Sequence, residues 1–229
     1  MEQTELSNGV KIIHSQNTFS KVGHVGVFIS VGSRDEEKGE EGLAHYLEHV
    51  IFKGTKKRKA FHVLSRLDSV GGELNAYTTK EETCVYASFP IEYLSRSLEL
   101  LSDVVFNSNF PKHELEKEKE VVIDEINSYR DSPSDLIFDD FDKSLFNAHS
   151  LGNDILGTEE QVKSISRSAV INFVKKHYIT RNVVISSVGN YSIGRLKNQL
   201  EKYFSIVPSK TSIASRIKPK FKKPKDIEV

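Results

Sequence analysis

Two histidines and a glutamate fall within the segment HYLEH, at positions 45 to 49. On a helix, residues four apart project from one face, so His45 and His49 could hold a single metal ion between their imidazoles. Glu48 lies on the same side, where its carboxylate could act as a general base. The opposite side is apolar and consists of Leu43, Tyr46, Leu47, Val50 and Ile51. We therefore expect the apolar side to pack in the core while the three ionisable residues face a cleft.

A catalytic zinc site needs a third protein ligand and an open position for water, so a carboxylate is expected on another element. Residues 111 to 130 have the pattern of a helix whose apolar stripe is bordered by Glu118 and Glu125. A carboxylate at the margin of a buried face calls for a partner, because an isolated desolvated charge is costly. Taken with the histidine pair, Glu125 is the candidate third ligand. The alternative is that both glutamates belong to a solvated face and pair with neighbouring lysines.

The elements that must position these residues alternate between strand and helix patterns. Residues 22 to 31 predict a strand with one buried face, and residues 72 to 90 predict a hairpin around a polar centre at 79 to 82. A further strand is expected at 182 to 189. Helices are predicted around the HYLEH motif and at 60 to 70, 91 to 105, 111 to 130, 133 to 147, 167 to 178 and 192 to 203. This order indicates an α+β fold, with helices layered on a largely antiparallel sheet.

Composition narrows the class of protein. The chain has 229 residues and 38% apolar content, enough for a sizeable core, and we assign one domain to residues 1 to 208. Residues 209 to 229 are rich in lysine, contain two prolines and have the composition of a linker or tail. Lysine plus arginine and aspartate plus glutamate both total 32, so no global basic field attracts nucleic acid or an anionic membrane. We therefore expect neither as a partner.

Location is indicated only indirectly. Cys84 is the only cysteine, which excludes an intramolecular disulfide and fits a reducing compartment. The first residues carry two glutamates and no apolar run of signal length, and no run of 18 apolar residues occurs. A cytoplasmic enzyme is the expectation, although a targeting segment could have been removed beforehand.

The motif and its surroundings resemble the inverzincin metallopeptidases, the family of pitrilysin, insulin-degrading enzyme and mitochondrial processing peptidase. The similar segments occur in the family's order and cover most of residues 8 to 190: GSRDE, HYLEHVIFKGT, GGELNAYTTKEETCVYAS, EKEKEVVIDEI and HSLGNDILGTEE. The last segment departs from the usual form at Asn153, where an arginine is common. His149 in the same segment is interpreted as structural.

The resemblance implies a role for each matching residue. His45 and His49 would be the histidine ligands of one Zn²⁺ per chain, Glu125 the glutamate ligand and Glu48 the base. Glu118, one heptad before Glu125, matches the family's second acidic position and would support catalysis without being the preferred ligand.

The resemblance also implies where a substrate would bind. Asn75 and Ala76 match the strand that pairs with the substrate backbone in this family. An exposed edge strand can add an extended peptide through main-chain hydrogen bonds, largely independent of its sequence. The alternative is an ordinary hairpin with no such role.

Together these expectations describe a zinc-dependent endopeptidase, or its active-site half, that hydrolyses peptides or unfolded segments through metal-activated water. No donors for the developing oxyanion are identifiable in the chain. In the family, a second, similarly folded half closes over the first as a clamshell, so we expect a second homologous half-domain or subunit as partner. A noncatalytic assembly subunit of the same family is one alternative. An unrelated module whose basic tail touches nucleic acid is another, but the tail lacks interleaved aromatic residues.

Overall fold

Six strands form one mixed sheet in the computed structural model, which describes residues 1–146, 149–209 and 216–219. The strand order is β1-β2-β6-β3-β5-β4, and only β2 and β6 pair in parallel among these neighbours. The sheet is therefore largely antiparallel, as predicted. The strands are β1 Glu2–Glu5, β2 Lys11–Gln16, β3 Val22–Ile29, β4 Glu73–Thr78, β5 Thr83–Pro90 and β6 Val183–Gly189.

Eight α-helices accompany the sheet in the described residues. They are α1 Leu43–Val50, α2 Ala60–Asp68, α3 Leu94–Asn107, α4 Lys112–Arg130, α5 Pro133–Phe146, α6 Glu159–Ser164, α7 Arg167–His177 and α8 Ile193–Phe204. The predicted layering of helices on a sheet is thereby confirmed. None of the described helices combines the length and the apolar character that a membrane crossing requires.

The two faces of the sheet differ because side chains alternate along each strand. On β3, Val25, Val27 and Ile29 are buried in the core with the helices. His24 and Phe28 project to the opposite face, where a cavity of about 240 Å³ is lined by side chains of β3 to β6. The core therefore lies on one side of the sheet, and the helices on that side include those that carry the motif.

Three elements were not predicted. β1 has no apolar alternation, and its extended form follows from pairing with β2, which is a tertiary effect. β2 does alternate, with Ile12 and His14 buried, but its pattern is short. α6 begins at a capping box between Thr158 and Gln161, a signal that the sequence TEEQ contains. Most of the predicted linker, 209 to 229, lies outside the described residues.

The start of α1 is fixed by a carboxylate and by two glycines. Glu36 accepts hydrogen bonds from the backbone N–H groups of Gly42 and Ala44 at 3.1 and 2.7 Å, which satisfies donors that a helix start leaves free. Gly42 has φ +87°, and a Cβ there would lie 2.6 Å from the Leu156 carbonyl oxygen. Gly157, with φ +69°, packs against Gly42 in turn. Neither position accommodates a side chain, so the loop before α6 sits directly on α1.

The loop that follows α1 is anchored by a partly buried ion network. Arg58 donates to the Glu99 carboxylate at 2.7 Å and also pairs with Asp103. Thr55 donates its hydroxyl to Asp103 at 2.8 Å. Because the Asp103 side chain is only 1% exposed, its charge depends on these partners rather than on water.

We predict that Arg58→Met lowers the free energy of unfolding by about 3 kcal/mol, because it leaves the Asp103 carboxylate buried without its cation. Lys57→Met is the matched control in the same loop. The Lys57 side chain is 65% exposed and lies 3.8 Å from Glu99, so its loss should change stability by less than about 0.5 kcal/mol. Urea unfolding at equilibrium measures both. Equal effects of the two variants would contradict the anchoring role.

Candidate metal centre

The centre is formed where α1 crosses α4. The Tyr46 hydroxyl on α1 donates to the backbone carbonyl of Leu115 on α4 at 2.6 Å, in a buried contact. Leu115, Val122 and Ile126 form the buried stripe of α4, with Glu118 and Glu125 beside it. Tyr129, which the sequence pattern also places on this stripe, is only partly buried. This packing brings one face of α1 opposite the acidic margin of α4.

His45, His49 and Glu125 come together at this crossing. The His49 Nε2 atom lies 3.1 Å from one oxygen of Glu125, and the His45 Nε2 atom lies 3.7 Å from the other. The candidate ligand atoms of the three residues all lie within 4.8 Å of one another. Two imidazoles and one carboxylate are a ligand set found in catalytic zinc sites. The residues therefore fit the metal that their types predicted.

Glu118 lies behind His49 rather than at the ligand cluster. One of its oxygens is 3.3 Å from His49 Nδ1, and the other is 2.7 Å from the ammonium of Lys53. An imidazole that binds metal through one nitrogen is usually oriented by a hydrogen bond at the other. Glu118 can supply this bond to His49. The Nδ1 atom of His45 is buried and finds no partner among the described residues.

Burial sets the protonation of the histidine deepest in the site. Burial and, as the smaller effect, the nearby His49 together lower the pKa of His45 to about 4. The imidazole is therefore neutral at neutral pH. The neutral form is the one that binds a metal, because a protonated nitrogen has no lone pair to offer.

Burial also raises the pKa of Glu48, and the charge of Glu125 adds to this, while Thr78 and His49 oppose it. A carboxyl group with a raised pKa is better matched to proton transfer near neutrality. Burial raises the pKa of the Tyr178 hydroxyl, and the negative charge of the nearby Glu48 raises it further. This hydroxyl has no hydrogen-bond partner among the described residues.

Asn75 and Ala76 lie on β4, the strand at one edge of the sheet and in contact with α1. The hydrogen bond from Thr79 N–H to Glu82 O sets the alternation of the hairpin, so the Ala76 N–H points away from β5. That N–H donates to the side chain of Asn75 at 2.8 Å. The Ala76 amide at this sheet edge therefore points outward and is already hydrogen-bonded to the side chain of Asn75.

The structure thus brings His45, Glu48, His49 and Glu125 together and puts Glu118 one contact further out. Lys53 was not predicted to belong to the site, although it continues the four-residue spacing of His45 and His49. Thr78 and Tyr178 were also missed, since only the fold brings them to Glu48. His149 caps a short turn by accepting from Leu151 N–H and also contacts the Ile217 carbonyl, and no described contact ties it to the ligands.

Comparison with known proteins identifies the family. Residues 11–159 match the insulinase family of peptidases, family M16, and residues 164–229 match the M16 inactive domain. The first match covers more than half of the chain and contains every candidate ligand. The chain therefore belongs to peptidase family M16, which confirms the resemblance.

Individual relatives agree with this membership. The chain is 39% identical to an uncharacterized zinc protease, YmxG, of Bacillus subtilis over 93% of its length. It is 33% identical to a probable mitochondrial-processing peptidase subunit beta of Arabidopsis thaliana, again over 93%. The fold matches crystalline pitrilysin with a TM-score of 0.85 over 94% of the chain, at 23% identity.

These relatives are longer proteins. The chain spans 52% of the Bacillus protein, 40% of the Arabidopsis protein and 24% of the pitrilysin chain. Each of them therefore has further chain beyond the part that this fold matches.

Proposed function

We propose that the chain carries the active centre of a zinc-dependent endopeptidase, with one Zn²⁺ held by His45, His49 and Glu125. The observation that supports this most directly is the approach of both Nε2 atoms to the two oxygens of a single carboxylate. A metal ion held between these nitrogen and oxygen atoms would join all three residues. Names of relatives that contain the words zinc protease support the choice of metal.

Zinc held by these residues would supply Lewis acidity and lower the pKa of the attacking water toward ~7. Glu48 takes the proton from the attacking water and delivers it to the leaving amine as the peptide bond breaks. Thr78, which tempers the raised pKa of Glu48, lies at the end of the edge strand, next to where a peptide would run. Glu118 orients the His49 ring.

The proposed substrate is an extended peptide or unfolded segment that pairs with β4. The strand is at the sheet edge, and it contacts the helix that carries the ligands. A peptide that binds Ala76 N–H must replace the Asn75 side chain. Because the contacts are to the main chain, many sequences could be bound.

A second homologous half-domain or subunit is the proposed partner. The Glu125 side chain remains 44% exposed, so the site is open on one side. The relatives are longer than this chain, and their additional residues are enough to form an element that covers the site. Such an element could exclude water and contribute the oxyanion donors that this chain lacks among its described site residues.

We predict that Glu125→Gln weakens zinc binding by at least about 100-fold, beyond the 10–100-fold typical of outer-shell partners, since it removes the only anionic ligand of the proposed set. Glu120→Gln, an exposed change on the same helix, should leave the affinity unaltered. Competition with a chromophoric chelator measures both. Unchanged affinity in the Glu125 variant would remove it from the ligand set.

Glu48→Gln should retain zinc but lower cleavage of an unstructured peptide by roughly 10²–10⁴, because the amide cannot accept the proton. The assay is run on the chain alone and after addition of the proposed second half. Wild-type protein that binds zinc but cleaves nothing in either form would favour the noncatalytic subunit. A fully active Glu48 variant would contradict its role as the base.

Ala76→Pro should weaken binding of an extended peptide about 3–10-fold, the worth of one hydrogen bond, because proline has no N–H to donate. An outward position on an edge strand tolerates proline. Binding is measured by fluorescence anisotropy in the zinc-loaded Glu48→Gln background, which prevents cleavage. Gln3→Pro is the control on β1, the opposite edge, and should have no effect; equal losses in both would contradict the assignment of β4.

A further inference from the structure

Where α1 crosses α4, ionisable side chains from the two helices face one another in a row. His45, His49 and Lys53 are spaced four residues apart, and the N–H of Lys53 donates to the Val50 carbonyl, so the helical path continues past the end of α1. Opposite them lie Glu125 and Glu118. Glu125 contacts both histidines, and Glu118 contacts His49 and Lys53. Lys53, the ammonium in this row of side chains, has no role in the chemistry described so far.

We propose that Lys53 is a positioning residue for the metal centre, which acts through Glu118 on the ring of His49. This inference rests on the proposed zinc site. The Lys53 ammonium is 2.7 Å from one oxygen of Glu118, and His49 Nδ1 is 3.3 Å from the other. A carboxylate with a partner on each oxygen has its rotation fixed. Lys53 therefore determines where the oxygen that faces His49 lies.

The burial of Glu118 makes this partner important. Its side chain is only 9% exposed, so water cannot readily take the place of the ammonium. A buried carboxylate that loses its cation turns toward solvent or toward other donors, because leaving it unpaired is costly. In this site, that movement would withdraw the acceptor from His49.

The His49 ring depends on that acceptor for its orientation. When Nδ1 carries the proton and donates it to Glu118, the lone pair of Nε2 points toward Glu125 and the metal position. His45 has no described partner at its Nδ1 atom. Of the two candidate ligand imidazoles, only that of His49 thus has a partner at Nδ1 among the described residues. That partner is Glu118, and Lys53 contacts Glu118 on its other oxygen.

A direct electrostatic role for Lys53 makes the opposite prediction. A cation near a divalent metal repels it, so its removal would tighten zinc binding if charge alone mattered. A positioning role predicts weaker binding, since the ligand is then less well oriented. The sign of the change in affinity separates the two.

The test measures zinc affinity by chelator competition in the full chain. Lys53→Met should weaken binding by about 10-fold or more, the typical effect of losing an outer-shell partner. Lys53→Arg, which can still pair with Glu118, should restore the affinity to within about 3-fold of wild type. Lys57→Met is the matched control from the neighbouring loop and should change nothing. Tighter or unchanged binding in Lys53→Met would overturn the proposal.

Coupling to Glu118 provides a second measurement. If Lys53 acts through Glu118, then Lys53→Met should add no further loss of affinity in a Glu118→Gln background. Additive losses would show that Lys53 acts by another route and would overturn the proposal. Thermal unfolding of the metal-free variants checks that each is folded.

The ring of His49 can be followed without metal. NMR should show the Nδ1 proton of His49 hydrogen-bonded to Glu118 in the metal-free wild type and exchanging faster with water in Lys53→Met; an identical signal in both would contradict the inference. Failure of the wild type to bind zinc would refute the proposed function, and this spectrum would still decide the role of Lys53.

Discussion

The packing of α1 against α4 is the contact on which the site depends. Its apolar side chains and the Tyr46 to Leu115 hydrogen bond fix the distance between the two helices. The polar residues at the margin of this interface then have little freedom. Helical spacing places a histidine, a second histidine and a lysine at successive turns of one helix and two glutamates on the other. An interface that buries apolar side chains therefore also brings the candidate ligands His45, His49 and Glu125 together.

The side chains of this cluster differ in how deeply they are buried, and the roles proposed for them differ accordingly. His45 is buried and held neutral, which suits a ligand. Glu118 is buried between two partners and serves as a fixed acceptor. Glu125 is the most exposed of the group, so it can adjust to a metal ion at a low cost in desolvation. Glu48 lies between these extremes, with the raised pKa that suits a base. Residues of one chemical type thus differ in the roles proposed for them, according to their depth and their partners.

Much of this could be read from the sequence, because helical periodicity gives the face of each residue. The spacing of His45 and His49 and the position of Glu125 beside an apolar stripe predicted which side chains would meet. The hairpin around residues 79 to 82 could likewise be predicted from its runs of β-branched and aromatic residues. Pairing between distant segments could not be read in this way. β1 has no pattern of its own, and the neighbours of Glu48 come from β4 and from the residue after α7.

The same limit applies to Lys53, whose four-residue spacing from His49 is visible in the sequence. A lysine four residues beyond a histidine at the end of a short helix usually belongs to a solvated face. Its meaning depends on Glu118 being buried opposite it, and burial depends on the crossing of the two helices. Periodicity identifies the candidates on one helix, and tertiary packing determines which of them finds a partner. For this centre, the sequence could identify the candidate ligands that the structure brings together, but the residues that contact them from behind follow only from the geometry of the interface.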